Sequence, residues 1–351
     1  MSAPAADAAP LPAGLSPRAR AWRRFRANRR GWWSLWIFGV LFGLSLGAEL
    51  LSNDRPLLVH YEGAYYFPLL KTYPETAFGG DFDTEADYHD PYLRERLAGG
   101  DNWLLDPPNP YRYDTIRLDG QRANPAPPSA QHLLGTDDRG RDVLARLIYG
   151  FRLSVLFALA LTVVGTALGV LAGALQGYLG GRTDLLGQRL IEIWSSLPEL
   201  YLLIIFASLF NPSVWLLLAL LAAFGWMGLA DYVRAEFLRG RNLDYVRAAR
   251  ALGAGNRTIM FRHLLPNSLT PVLTFLPFRI SGAIVALTSL DFLGLGVPPE
   301  TPSLGELLAQ GKENLSAWWL SAGTFVVLVG TLLLLIFIGE ALREAADTRR
   351  G

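Results

Sequence analysis

Two uncharged apolar runs, each long enough to cross a lipid bilayer, constrain what this chain can fold into. Leu153–Leu175 is 23 residues long and Trp318–Gly339 is 22, and neither contains a charged side chain. A hydrocarbon core about 30 Å thick needs roughly 20 apolar residues of helix, so each run predicts a membrane-spanning helix. Only 18% of the 351 residues are charged, against roughly 25% in an average soluble domain. We therefore expect an all-α protein that crosses a membrane several times.

The other hydrophobic stretches predict four further spans, six in all. Gly31–Leu51 is the first; it is longer than the core of a signal peptide, so we expect it to be retained. The uncharged stretch Leu200–Ala230 is broken by the turn signal Asn211-Pro212, which leaves Ser213–Ala230 as one span. Leu269–Leu290 is another, although proline interrupts it. The segment before Asn211 completes the six only if its helix starts near residue 184.

Four charged residues lie in or near these predicted spans: Glu192, Glu199, Arg279 and Asp291. An ionisable group at the centre of a membrane helix costs at least ~2.5–3.5 kcal/mol, so such residues face a partner or a polar pathway. One interpretation is a cavity that contacts a zwitterionic solute. The other is placement at the membrane interface, or a structural pair of Arg279 with a carboxylate. The sequence leaves both open.

Basic residues near the span ends predict the orientation of the chain, because cytoplasmic flanks are rich in Lys and Arg. We therefore place the N-terminus, the loop Asp231–Pro266 and the C-terminus in the cytoplasm. Residues 52–150, with ten basic and sixteen acidic side chains, fall outside. The resulting organisation is a basic N-terminal segment 1–30, a first helix 31–51, an extracytoplasmic domain 52–150, a membrane domain 151–342 with a cytoplasmic loop 232–266, and a cytoplasmic tail 343–351.

The extracytoplasmic segment is rich in aromatic residues, proline and glycine, which favours loops and short strands over long helices. Asp81, Asp83, Glu85 and Asp87 alternate as in a calcium loop, but Ala86 stands where that loop needs glycine. We interpret the run as a solvated acidic loop and expect no metal site. With no cysteine in the chain, this segment folds without disulfides.

Four glycines of the second span, Gly165, Gly169, Gly173 and Gly177, share one helical face because they are four residues apart. Small side chains let helix backbones approach closely in lipid, so this face predicts a packing seam. The seam can lie within the chain or between subunits.

The cytoplasmic loop carries a pattern of small, basic and helix-ending residues. Leu243–Leu252 predicts an Ala- and Arg-rich helix that Gly253 and Gly255 can end in a left-handed cap. Asn256 can cap a second helix, which we expect to end before Pro266. Two short helices that meet at a glycine corner form a docking element rather than a catalytic one.

This pattern resembles the EAA motif of permeases in binding-protein-dependent ABC importers. Ala248, Ala249, Gly253, Ile259, Leu265 and Pro266 match it in order and spacing, and Arg247 stands where the family has Glu. The resemblance implies the type-1 importer permease fold. It also implies that Arg247, Ala248, Ala249, Gly253, Leu265 and Pro266 couple the permease to an ATPase.

Two further segments, 132–154 and 291–305, resemble the second, C-type permease subunit of the dipeptide and oligopeptide branch. Asp291, Arg247 and the aromatic, acidic stretch Tyr61–Tyr92 resemble the Yej-type subset, which is linked to peptides and to the peptide-nucleotide antibiotic microcin C. The resemblance implies import across the bacterial inner membrane by a heterodimer with a second permease. A cytoplasmic ABC ATPase and an extracytoplasmic peptide-binding protein complete the expected assembly.

No Gly-x-x-x-x-Gly-Lys-Ser/Thr loop occurs in the chain, so ATP and Mg²⁺ are expected on the partner ATPase and no cofactor on this chain. The net charge of +1 gives no basic surface for nucleic acid; membrane lipid is the expected surroundings. A secondary transporter would show inverted repeats, and a membrane-anchored receptor would leave five spans unexplained. A catalytic membrane enzyme lacks a nucleophile or metal-ligand constellation.

Overall fold

The computed structural model describes residues 17–116 and 123–347. The first sixteen residues, with half of the predicted basic segment, lie outside the described residues, as do 117–122 and the tail arginines Arg349 and Arg350.

Strands β1, β2 and β3 are Leu58–Tyr61, Ala64–Tyr66 and Trp103–Leu105. A π-helical segment spans Ile259–Leu264. The α-helices are α1 Pro17–Ala27, α2 Arg29–Leu46, α3 Ala48–Leu51, α4 Pro91–Ala98, α5 Val143–Leu179, α6 Gly181–Ser195, α7 Glu199–Leu209, α8 Val214–Phe224, α9 Met227–Gly240, α10 Asp244–Ala251, α11 Asn256–Thr258, α12 Leu265–Phe292, α13 Leu304–Glu313 and α14 Trp318–Ala346.

The described residues include four helical stretches that are long and apolar enough to cross a membrane: Val143–Leu179, Val214–Gly240, Asn256–Phe292 and Trp318–Ala346. α6 and α7 add a fifth if they cross together, although they are bent by 65° at the break between them. The predicted first span is helical, but α2 starts with two arginines and has only 18 residues, and it is not one of the four. Among the described residues, four or five spans are thus found by length and hydropathy, and the sixth predicted span is not confirmed.

The long helices extend beyond the hydrophobic runs that predicted them. α5 starts at Val143, where the Asp142 carboxylate accepts a hydrogen bond from the backbone N–H of Ala145 at 2.8 Å. Such an N-cap satisfies a donor that the first helical turn leaves free. Residues 143–150, assigned from the sequence to the extracytoplasmic domain, therefore continue the helix of the second predicted span.

Proline does not interrupt α12, contrary to the sequence analysis. Pro271 and Pro277 both lie inside the helix. Nearby hydroxyls bond back to the chain: Thr274 donates to the Pro271 carbonyl at 2.7 Å and Ser281 to the Pro277 carbonyl at 3.0 Å. Prolines are tolerated in membrane helices where neighbouring helices and local adjustments support the backbone.

Residues between α3 and α5 form a small unit with its own core. Its antiparallel sheet has the order β2-β1-β3, and Val59 of β1 pairs with Tyr66 and Leu104. Phe78 is completely buried and is surrounded edge-on by tyrosine rings. The predicted loops and short strands are thus present. Asn109 ties the unit to α5, since its amide donates to the Asp142 carboxylate at 2.9 Å.

α5 lies at the centre of the membrane part and packs on α8, α9 and α12, while α14 packs on α2 and α12. Gly31 of α2 lies so close to Ala341 of α14 that an added Cβ would collide with it. At the other end, Arg152 of α5 donates to Glu49 of α3 at 2.9 Å. These contacts hold α2 and α3 against the helical bundle.

Candidate functional site: the loop between α9 and α12

A Schellman motif ends α10 at Gly253. Gly253 has φ +85°, its N–H donates to the Arg250 carbonyl, and the Ala254 N–H donates to the Ala249 carbonyl, both at 3.0 Å. This pair of bonds satisfies carbonyls that a helix end leaves free, and it needs a left-handed residue, which glycine adopts without strain. Ala249 thus supplies the carbonyl of the corner and Gly253 its backbone shape. Gly255, with φ −69°, does not take part in a left-handed cap.

The second half of the loop departs from the prediction, because its helix does not end before Pro266. α11, the π-helical segment and α12 form one helix of 37 residues from Asn256 to Phe292. Pro266 lies inside this helix, directly after the π-helical segment, which departs from the i→i−4 hydrogen-bond pattern that a proline cannot complete. Asn256 is not the cap, since Gly255 holds that position; its side chain instead accepts a hydrogen bond from the Tyr178 hydroxyl at 2.8 Å.

Buried apolar residues fix the loop to the membrane helices. Val246 and Ile259 are completely buried and Leu264 is 1% exposed, all in one cluster with residues of α5, α9 and α12. Leu265 packs against the same cluster. The loop is therefore anchored to the bundle and is not a free connector.

The other side of α10 is open. Leu252 is 88% exposed beside Gly253, and Ala248 and Arg247 are exposed as well. Arg247, in place of the acidic residue of the motif, donates to Asp244 of its own helix at 2.8 Å, an exposed pair that adds little stability. This side of α10 thus presents one large apolar side chain beside small ones to solvent.

Gly169, Gly173 and Gly177 of α5 face α9 in the same chain, and Gly165 faces the residues just before α9. A Cβ on Gly169 would lie 2.8 Å from the Trp226 carbonyl oxygen, and one on Gly177 would lie 2.5 Å from the Arg234 carbonyl oxygen. Gly173 is equally close to the Ala230 carbonyl, and Gly165 faces Gly225 and Arg279. The structure therefore places the seam within the chain.

The structure does not bring the four charged candidates together, and the described residues show no ion pair between any two of them. Glu192 pairs with Arg189 on the exposed face of α6. Arg279 donates to the Gly225 carbonyl at 2.9 Å, at the junction of α8 and α9. Glu199 is exposed in the first turn of α7.

Asp291 organises the turn after α12. Its carboxylate accepts hydrogen bonds from the Val297 N–H at 2.8 Å and from the Ser303 hydroxyl, and the residue is only 8% exposed. Ser303 in turn caps α13 by accepting from the Gly305 N–H at 3.1 Å. Gly296 and Gly305 pack so closely on Asp291 that no side chain fits there. These bonds give Asp291 a structural role and do not place it on a pathway.

A buried ion network before and inside α5 was missed by the sequence analysis. Arg141 donates to Asp137 at 2.7 Å and to Glu306 of α13 at 3.2 Å. Arg146, completely buried, also donates to Glu306. The sequence does show a dense cluster of charged residues before the uncharged run Leu153–Leu175. It does not indicate that Glu306 is their partner. Within the described residues, no three His, Asp or Glu side chains are placed to hold a metal ion.

Comparison with known proteins supports the resemblance to importer permeases. Residues 165–351 match the family described as binding-protein-dependent transport system inner membrane component. Residues 16–70 match the N-terminal TM domain of oligopeptide transport permease C. The chain therefore belongs to the family of inner membrane components of binding-protein-dependent transport systems. It is an ABC permease subunit, a transporter component rather than an enzyme, and membership implies an ATPase and a substrate-binding protein as partners.

Among its relatives is the inner membrane ABC transporter permease protein YejE of Escherichia coli, 56% identical over 96% of this chain and 98% of that protein. The peptidoglycan transport system permease protein YejE of Agrobacterium fabrum is 50% identical over 94% of this chain and 93% of its own length. The oligopeptide transport system permease protein OppC of Haemophilus influenzae is 35% identical over 68% of this chain and 77% of its own length.

Proposed function

We propose that this permease subunit imports peptides across the inner membrane and is driven through the loop between α9 and α12 by an ATPase bound in the cytoplasm. The observation that carries the proposal is that one side of the loop is buried and the other is exposed. One side is buried against α5, α9 and α12 through Val246 and Ile259, and the other presents Leu252 and Ala248 to solvent. A partner that moves the exposed side therefore moves the helices to which the buried side is fixed.

The mechanism follows from the continuity of the helix after the loop. Asn256–Phe292 is one continuous helix, so a displacement at the Gly253 corner is passed along this helix into the membrane part. Nucleotide binding on the ATPase then biases the bundle between inward- and outward-facing states, a two-state change of the kind that packed helices support.

Two glycines provide the test. Gly253 and Gly255 both have open space around the position of a Cβ, but only Gly253 has a positive φ. Gly253→Val should reduce peptide-stimulated ATP hydrolysis by the assembled transporter at least about tenfold, since the left-handed corner is strained for a β-branched residue. Gly255→Val is the control and should keep most of the activity. Equal activity of both variants contradicts the coupling role of the corner.

For the topology, we propose six spans with both termini in the cytoplasm and residues 52–150 outside. α2 with α3 supplies the first span, and α6 with α7 the third. The support is the count of helices together with the basic residues Arg29 and Arg30 at the start of α2. The loop and the small unit that contains the sheet then lie on opposite sides of the membrane.

For the cargo, we propose peptides, since OppC is described as an oligopeptide permease and the YejE of Agrobacterium fabrum as a peptidoglycan permease. The resemblance to the Yej-type subset extends the proposal to antibiotics of the microcin C type. Uptake of a labelled oligopeptide and sensitivity to microcin C, measured in cells that lack or produce this chain, test the two parts separately.

For the assembly, we propose a second permease subunit that completes the pathway.

For the pathway, we propose Glu199. Of the four charged candidates, it is the one whose side chain has neither a hydrogen bond nor an ion pair within the described residues. Glu199→Gln should change the rate of peptide uptake while assembly with the ATPase is unchanged.

A further inference from the structure

Helix α1 and the start of α2 carry a strong excess of positive charge. Residues 17–30 include seven arginines and no acidic residue. The end of α14, on which α1 packs, adds three acidic residues and one arginine over residues 340–347. Five positive charges are therefore in excess where these helices meet. The exposed arginines Arg20, Arg23 and Arg29 have no ion pair within the described residues.

The position of α1 is fixed by contacts with α14. Phe25 is only 2% exposed and packs with Ala341 in one buried cluster. The Arg24 guanidinium donates to the Asp347 carbonyl at 2.7 Å. At Asn28 the backbone is extended, which separates α1 from α2. α1 is therefore a separate helix that is held against the end of α14 and does not prolong α2.

These contacts place α1 at the depth of the lipid headgroups. The uncharged run of α14 ends at Gly339, and Ala341 lies about 3 Å beyond that end at the rise of a helix. The headgroup layer extends roughly 5–7 Å beyond the hydrocarbon core on each side. Three tryptophans of α1 and α2 are more than half exposed: Trp22, Trp33 and Trp36. Exposed indoles are typical of the interface between membrane and water.

Two arginines of α1 point away from the bundle. Arg20 and Arg23 lie on the side of the helix opposite to Phe25, as follows from 3.6 residues per turn. Both are exposed, and neither side chain has a hydrogen bond within the described residues. A helix with Arg on one side and Trp and Phe on the other is typical of segments that lie in the headgroup layer.

We propose that α1, together with the start of α2, binds the headgroups of anionic phospholipids, with Arg20 and Arg23 as principal contacts. A guanidinium matches the geometry of a phosphate group with two parallel hydrogen bonds. An acidic surface of a partner protein would satisfy the charge, but it would not account for exposed tryptophans at this depth. The proposal depends neither on the peptide cargo nor on the coupling loop.

Titration of the full chain in dodecyl maltoside with short-chain lipids tests the proposal. The probes are dioctanoyl phosphatidylglycerol, which is anionic, dioctanoyl phosphatidylcholine, which is zwitterionic, and inorganic phosphate, and binding is followed by microscale thermophoresis. We expect phosphatidylglycerol alone to bind, with an affinity that falls as the salt concentration rises. Equal affinity for the two lipids, or equally tight binding of inorganic phosphate, would overturn the proposal.

Two matched double variants locate the site. Arg20→Gln with Arg23→Gln should weaken the binding of phosphatidylglycerol by about five- to thirtyfold, since each basic residue near an anionic surface contributes about fivefold. Arg250→Gln with Arg257→Gln removes the same charge from exposed positions of the loop between α9 and α12 and should bind as the wild type does. Wild-type affinity in the first pair, or equal weakening in both pairs, contradicts the assignment to α1.

A lysine pair controls for a folding artefact. Arg20→Lys with Arg23→Lys keeps both charges and should retain most of the affinity for phosphatidylglycerol. The melting temperature should equal that of the wild type in the glutamine and the lysine pair, because both arginines are exposed. If the glutamine pair keeps its lipid affinity but loses the ATPase on purification, α1 is a protein contact and the proposal is wrong.

Discussion

Arg146 is the largest of the completely buried side chains in the described residues. It lies inside the apolar helix α5 and is compensated by Glu306 of α13 and, at 3.6 Å, by Asp137. Arg141 joins the same group through Glu306. A buried charge is tolerated only when it is paired and hydrogen-bonded, so the network fixes α13 against the start of α5.

Removal of one partner therefore leaves a buried charge without compensation. We predict that Glu306→Ala destabilises the protein by about 3–5 kcal/mol, observed as a lower midpoint of thermal unfolding in nanodiscs. Glu313→Ala, at an exposed glutamate of the same helix, should change the midpoint little. A similar small change in both variants would show that the network contributes no stability.

The roles of single residues were the part that sequence alone predicted least. Arg279 and Asp291 were recognised as charges in a membrane segment, but their partners are far away in the chain. Arg279 bonds to Gly225, 54 residues earlier, and Asp291 bonds to Ser303, the N-cap of the next helix. Hydropathy and spacing identify charged side chains within membrane segments. Their hydrogen-bond partners can be identified only from the packed structure.

At the level of the helices, the contact between α5 and α9 depends on the absence of side chains at Gly169, Gly173 and Gly177. Gly173 touches the Ala230 backbone, whereas Gly43 of α2 has no neighbour within 4 Å of a Cβ position. Gly173→Val should separate the helices and cost about 1–3 kcal/mol or more through overpacking. Gly43→Val, the control, should cost less than about 1 kcal/mol. Equal melting temperatures of the two variants would mean that the seam is not tightly packed.

The existence of the long helices could be predicted from the sequence, while their ends could not. Uncharged runs marked α5 and α14 because burial in lipid selects against charge. The start of α5 was missed because Arg146 and Arg152 interrupt the apolar run, and both are paired with carboxylates from other elements. The helix through Pro266 was missed because the rule that proline ends a helix ignores the π-helical turn that accommodates it.

At the level of the whole molecule, the proposed topology places the unit with the sheet and the loop on opposite sides of the membrane. The chain contains no cysteine, so a single introduced thiol reports its own side. Leu70→Cys and Leu252→Cys are matched in exposure, at 83% and 88%. In cells, a membrane-impermeant maleimide should label Leu70→Cys directly and Leu252→Cys only after permeabilisation. The reverse pattern, or equal labelling, contradicts the orientation.

In the proposed mechanism, a movement of the ATPase is transmitted from the cytoplasmic loop through one long helix to α13. The partner contacts Leu252 and its neighbours, the Gly253 corner transmits the movement, and the helix Asn256–Phe292 carries it across the bundle. Asp291 and Ser303 then connect the end of that helix to α13. The central claim is therefore that the exposed side of α10 is the surface on which the ATPase is seated.

The most direct test of this claim compares two leucines that are equally exposed. Leu252, at 88%, lies at the end of α10, and Leu315, at 85%, lies between α13 and α14. Leu252→Asp should abolish co-purification of the ATPase with the permease, because a charge would be buried in an apolar contact. Leu315→Asp should leave co-purification intact. Retention of the ATPase by Leu252→Asp, or its loss in both variants, would contradict the account.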